Sequence, residues 1–154
     1  MDSTVSKALL PADKGTYILI LRMDAGAHLT IGRLGAFDCP AGWYAYTGSA
    51  MGPGGLRGRL KHHLKPINKP HWHIDYLRAA VDVRAVWYHA GETVHEHTWA
   101  DALRTLPGAT NPIRRFGASD CACTSHLIHF PAEPDFEAFR AVAGVAINRW
   151  RAVT

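Results

Sequence analysis

The chain has 154 residues, 47% of them hydrophobic, which is enough for one domain with its own core and too few for a multidomain assembly. Lys and Arg total 17 against 13 Asp and Glu, giving +4 with histidine neutral, and ten histidines can add charge as pH falls through about 6.5. This mild basic excess suits a polyanion or phosphate partner without naming one. Three cysteines, two of them one residue apart, do not make a secreted disulfide framework and read as reduced thiols. No apolar stretch approaches the roughly 18 residues that cross a bilayer. The opening MDSTVSKALLPADKG lacks the basic flank and apolar centre of a signal peptide, so the expected compartment is the cytoplasm, with no membrane partner.

Residues 1–13 read as an N-terminal arm and 14–154 as a single domain. From Gly15 to Arg22, GTYILILR predicts a mostly buried strand, closed by a turn at Asp24, Ala25 and Gly26. LTIGRL is its expected partner. WYAYTGSA then places Trp43, Ala45 and Thr47 on one face and Tyr44 and Tyr46 on the other, and the three strands are expected to form an antiparallel meander. In LRGRLKHHLK, Leu56, Leu60 and Leu64 recur every four residues behind Pro53, which predicts an amphipathic helix ending at Pro66. On that helix Arg59 and His63 are surface neighbours, while Arg57 and Lys61 point elsewhere.

HIDYLRAA predicts a short helix or turn, and Val81, Val83, Ala85 and Trp87 alternate as a fourth strand should. Thr93 and Glu96 fit a capping box that opens a helix over 94–106, stopped by Pro107 and Gly108. The loop GATNPIRRFGASDCAC is long, glycine-punctuated and basic through Arg114 and Arg115, and it leads into a short strand in HLIHF. After Pro134, the spacing of Phe136, Phe139, Ala143, Ala146 and Trp150 predicts a C-terminal amphipathic helix. The sum is a small α/β (α+β) domain with an antiparallel sheet flanked by helices.

Charge is concentrated in the middle of the chain. No acidic residue falls between Cys39 and Ile74, where Arg57, Arg59, Lys61, Lys65 and Lys69 stand beside His62, His63, His71 and His73. Trp43, Tyr44, Tyr46 and Trp72 are interleaved, and a basic surface carrying exposed rings suits nucleic acid through phosphate pairing and base stacking. The alternative is a solvated helix face above core aromatics.

The triplet GTY opens the first strand and YTG closes the third, ahead of a helix carrying Arg59. With HWHIDYL and FGASDCACTSHL following in order, the stretch from about residue 14 to 130 resembles the GIY-YIG nuclease superfamily. More narrowly it resembles a little-characterised branch found alone or fused to endonuclease III-like repair enzymes. The resemblance implies phosphodiester cleavage by two tyrosines, a helix-borne arginine and one metal-binding glutamate. Carried over residue by residue, it implies Tyr17 and Tyr46 as the motif tyrosines, Arg59 as the arginine, His63 as an assisting histidine and Glu96 as the ligand of Mg²⁺ or Mn²⁺. Tyr17 and Tyr46 stand 29 positions apart, well beyond the usual spacing, so an extra strand or loop is expected between the motifs. Tyr44 competes with Tyr46, Arg57 with Arg59, and the capping-box role with a metal role for Glu96. His97 stands where this branch often has cysteine.

Chemically, a fork-shaped guanidinium can grip a scissile phosphate, and an imidazole can relay a proton near neutral pH. A phenol titrates near 10, so Tyr17 as base would need help from the metal or from Arg59. Two further clusters carry alternatives. His71, His73 and Asp75 form an H-x-H-x-D pattern that could hold zinc for a small-substrate hydrolase or contact phosphate. Cys121, Cys123 and His126 offer three ligands for Zn²⁺, or structural thiols in a turn with Ser119 and Asp120. The expected function is a metal-dependent endonuclease acting on DNA in repair or on unusual structures, with recognition shared with a separate recognition or repair protein. The phosphate contacts would come from Arg57, Lys61, Lys65, Lys69, Arg114 and Arg115. The alternatives are a non-catalytic nucleic-acid-binding module and the zinc hydrolase.

Overall fold

A computed structural model describes residues 10–117 and 125–152. Seven strands and four helices follow the order β1 (Gly15–Met23), β2 (Ala27–Ile31), β3 (Gly35–Cys39), β4 (Gly42–Ala50), α1 (Gly55–Leu64), α2 (His73–Arg78), β5 (Val83–Ala90), α3 (Glu96–Arg104), β6 (Leu127–Phe130), α4 (Phe136–Val142) and β7 (Asn148–Arg151). Five of the strands form one antiparallel sheet in the order β6-β4-β1-β5-β7, and β2 pairs only with β3. The fold is mixed α+β, with an antiparallel sheet as expected.

Strand β1 lies at the centre because nearly every side chain on it is apolar, so both of its faces can be covered. Tyr17, Leu19 and Leu21 pack with Leu56 and Leu60 of α1 and with Ile74 and Leu77 of α2. Ile18 and Ile20 pack on the other face with Trp99 and Leu103 of α3 and Phe139 of α4. The result is a sheet between two helical layers.

Three expectations are corrected. The predicted meander does not form: β1 pairs directly with β4 over nine positions, from Gly15 with Ala50 to Met23 with Gly42, and with β5 on its other edge. The strand in LTIGRL folds back on β3 as a separate hairpin, because both carry apolar residues on alternate positions only and so can cover one face. This hairpin is the insertion expected between the tyrosine motifs. The alternation of Val83, Ala85 and Trp87 is broken by a shift of register at Ile20 and Leu21, which puts Val83 on the α1 side and Ala85 and Trp87 on the α3 side. Finally, the C-terminal helix does not reach Trp150. Gly144 adopts φ 82°, a left-handed conformation that ends α4, and Trp150 is instead buried on strand β7 against β5.

The end of the N-terminal arm is built into the domain. Leu10 is buried, and the carbonyls of Pro11 and Asp13 accept the Arg57 and Leu56 amides at 2.8 Å each, satisfying the free end of α1. Gly55, at φ 56°, leaves room for this segment, since a Cβ there would lie 2.2 Å from the carbonyl oxygens of Ala12 and Asp13.

Candidate functional site

The start of β1 and the end of β4 lie side by side, so Thr16 faces Ser49 and Tyr17 faces Gly48. Beside them open the flank of α1 and the first turn of α3. Their side chains border a cavity of about 380 Å³ lined by Tyr17, Tyr46, Arg59, His63 and Glu96 together with Ser49, His71, Trp72 and His73. All five residues expected to serve catalysis therefore meet at one hollow.

Tyr17 and His63 form its buried wall. The Tyr17 hydroxyl and His63 Nε2 are 2.7 Å apart, and the Tyr17 and His63 side chains are 1% and 0% exposed. Gly48 makes this possible, because a Cβ there would sit 2.5 Å from the Tyr17 ring. Burial raises the Tyr17 pKa well above that of a free phenol, and the nearby Arg59 charge offsets only part of the rise. Burial, with the neighbouring His62 ring, lowers His63 to about 3, so the imidazole is neutral at physiological pH. Tyr46 is likewise raised by burial, and its ring packs edge-on against His63 and Phe116.

Arg59 reaches the hollow from α1 with its guanidinium 4.5 Å from the centre of the half-exposed Trp72 ring. Its rival Arg57 turns away, and its Nε donates to the Leu10 carbonyl at 2.7 Å. Tyr44, the rival of Tyr46, is fully buried and donates its hydroxyl to the Pro40 carbonyl. The structure thus separates both pairs that the sequence left open.

Glu96 forms the opposite, polar wall. It is the first residue of α3, but the capping box is not present: His95 occupies the N-cap without a side-chain bond, and its amide donates to Thr16 Oγ1 at 3.1 Å. The Glu96 carboxylate accepts the Ser49 hydroxyl on Oε1 and faces His126 Nδ1 across 3.1 Å on Oε2. Burial opposes its charge, yet His126, Ser49 and the nearby His97 prevail and hold the carboxyl below its ordinary value. Glu96, His97 and His126 can each offer one ligand atom, all within 4.8 Å of one another. An ionised, partly exposed carboxylate beside two imidazoles, bordering a polar hollow, fits a divalent cation.

The H-x-H-x-D pattern does not close into a ligand set. His71 and His73 border the hollow, but His73 Nδ1 accepts the Gly117 amide at 2.8 Å and fixes the loop there. Asp75 is fully buried and accepts the His71 and Trp72 amides at 2.9 and 3.0 Å and His62 Nε2 at 3.0 Å. Those bonds outweigh burial and keep it below its ordinary pKa, so its work is to brace the segment that carries Trp72. Arg78, also buried, donates to the carbonyls of His63 and Lys65 at 2.5 and 2.8 Å and so closes the far end of α1. Lys61, Lys65, Lys69 and Arg114 are exposed, and Arg115 is half-buried at φ 68°. Ser119, Asp120, Cys121 and Cys123 lie outside the described residues.

Sequence reasoning missed four contributors: Ser49, Gly48, Asp75 as a brace, and His126 as the partner of Glu96. All four fall inside the quoted motifs, Gly48 and Ser49 in YTGSA, Asp75 in HWHIDYL and His126 in FGASDCACTSHL, but the motifs did not give these roles. Ser49, Asp75 and His126 act through contacts between distant segments, which no motif names.

The class that this sheet and its hollow define is a mixed α+β domain with an antiparallel sheet. The chain belongs to the family described as domain of unknown function DUF123, a GIY-YIG-like family, whose model matches residues 16–146. Comparison with curated proteins and with solved structures finds no significant match.

Proposed function

We propose that this domain is a metal-dependent endonuclease that hydrolyses phosphodiester bonds in DNA. The observation that carries the reading is the convergence of Tyr17, Tyr46, Arg59, His63 and Glu96 on one hollow from four separate elements. A set of unrelated surface residues would have no reason to converge so.

In the reaction a water oxygen bonds to phosphorus, the ester bond on the opposite side breaks, the attacking water passes a proton to solvent and the departing sugar oxygen takes one from solvent. The Arg59 guanidinium, over the Trp72 ring, is placed to grip the phosphate oxygens and offset the charge that grows on them. Tyr17 acts as a neutral phenol, since burial holds its proton on. When it donates to Nε2 of neutral His63, its remaining lone pair can accept a hydrogen bond from the water and aim it. Tyr46 packs His63 in place. A divalent cation on Glu96, Mg²⁺ or Mn²⁺, would supply further positive charge for the phosphate.

The basic apron assigned to DNA comprises Lys61, Lys65, Lys69 and Arg114, all exposed, with Arg57 and Arg115 adding charge. Trp72 offers a ring at the rim on which a base could stack. Repair or processing of branched or damaged DNA, with a recognition protein as partner, suits a catalytic unit of this size.

The test is incubation with duplex, flap, junction and single-stranded DNA in Mg²⁺, Mn²⁺ or chelator. Metal-dependent nicking is expected, with Glu96→Ala and Arg59→Ala each lowering it at least about a hundredfold to a thousandfold. Tight binding without cleavage by the unaltered protein would instead mark a binding module.

A further inference from the structure

The donors on the polar wall are more than one carboxylate. Mg²⁺ binds oxygen, keeps several of its waters and seldom takes imidazole, whereas Mn²⁺, Co²⁺ and Zn²⁺ accept nitrogen and carboxylate together. Bonds of about 2.1 Å place adjacent donors about 3 to 3.5 Å apart around such an ion. Glu96 Oε2 and His126 Nδ1 already stand 3.1 Å apart, and His97 Nδ1 lies 3.3 Å from the other nitrogen of the His126 ring. One atom from each of the three residues falls within 4.8 Å of the other two, close enough for the set to hold one ion.

The surroundings match a metal site that keeps an open position. Ser49 holds the second carboxylate oxygen, as an outer partner that orients a ligand does. Glu96 borders the hollow that contains Arg59, so the unfilled positions of an ion there would face the phosphate. His126 is anchored by its backbone, donating to the Phe116 carbonyl and accepting from the Thr47 amide, and His97 is exposed.

We infer that Glu96, His97 and His126 together bind one first-row transition cation, of the Mn²⁺, Co²⁺ or Zn²⁺ kind, in preference to Mg²⁺. This rests on the proposed function only in taking Glu96 as the metal-bearing carboxylate, and it adds two nitrogen ligands to that residue.

The experiment titrates Co²⁺ into the metal-stripped full chain and follows visible absorption, without DNA. The expected result is a set of d–d bands that saturates at one equivalent, persists in excess Mg²⁺ and disappears when Zn²⁺ is added. His97→Ala, a change at an exposed residue that leaves the core intact, is expected to weaken binding at least about tenfold, and Glu96→Gln to weaken it more. Ser49→Ala is expected to weaken it about tenfold through loss of orientation. Absence of bands, bands unaltered by His97→Ala, or thiolate charge-transfer absorption that places the ion on cysteine would each overturn the inference. The nuclease reading fails separately: bands without cleavage of any DNA would remove the activity and keep the site, and Mg²⁺-supported cleavage without bands would do the reverse.

Discussion

The two walls of the hollow are sequestered to similar ends by opposite means. On one, Tyr17 and His63 are buried against each other and against apolar neighbours, and burial pushes both toward their neutral forms. On the other, Glu96 is also withdrawn from water, yet Ser49, His126 and His97 keep it charged. Removal from solvent does not by itself fix protonation; the polar groups that replace the lost water decide it. A site with one neutral proton-handling wall and one charged wall can aim a water from one side and hold positive charge on the other.

The largest effect that would break this contrast is loss of the Tyr17 hydroxyl. Tyr17→Phe keeps the ring in the core but takes away the group that aims the water, and cleavage is expected to fall about a hundredfold or more in single-turnover assays while metal binding is unchanged. A drop shared equally by both readouts would dissolve the distinction between the walls. Next comes Gly48→Ala. The added Cβ would lie 2.5 Å from the Tyr17 ring, so the ring must shift, at a cost of about 1–3 kcal/mol visible in denaturant unfolding, together with reduced cleavage.

The pH dependence of stability sharpens the comparison. His63 titrates near 6.5 when unfolded and at about 3 when folded, so the unfolded state takes up the proton first. The stability it contributes is complete above pH 6.5 and declines below it by up to about 1.4 kcal/mol per pH unit. Glu96 is shifted in the same direction, though here the favoured form is the charged one: its folded pKa lies below 4.5, and its contribution, complete above that value, is lost as pH falls below it toward the folded pKa. Unfolding measured from pH 7 to 4 is expected to show the first slope alone near pH 6, and His63→Gln to flatten it. The smallest effects belong to the apron. Lys65→Ala or Lys69→Ala is expected to weaken DNA binding broadly and to reduce the slope of log affinity against log salt by about one, measured by fluorescence anisotropy.

Much of the hollow was legible in the sequence because Tyr17, Tyr46 and Ser49 belong to compact motifs on strands and Arg59 and His63 share a helix face. Each needs only local periodicity to be placed. What was not legible depended on which strands become neighbours. A run as apolar as β1 must sit centrally, but nothing local says that β4 pairs with it rather than the nearer β2. Only the half-exposed alternation of Leu29 and Phe37, partly buried on the hairpin, shows afterwards why β2 and β3 pair with each other. Trp150 kept helical register with Phe136 and Phe139, and the one residue that overrides this register, Gly144, acts through backbone conformation rather than hydrophobicity. Asp75 and His126 draw their roles from partners 13 and 30 residues away, beyond any periodic signal.

The carbonyls of Pro11 and Asp13, seated on the leading turn of α1, carry a consequence for how an anion can approach. Helix beginnings ordinarily attract phosphate through their unpaired amides and partial positive charge. Here that socket is already plugged by the chain's own backbone. An anion drawn to this helix would have to be met broadside, on the flank that carries Arg59, so the plug closes one approach as well as securing the helix.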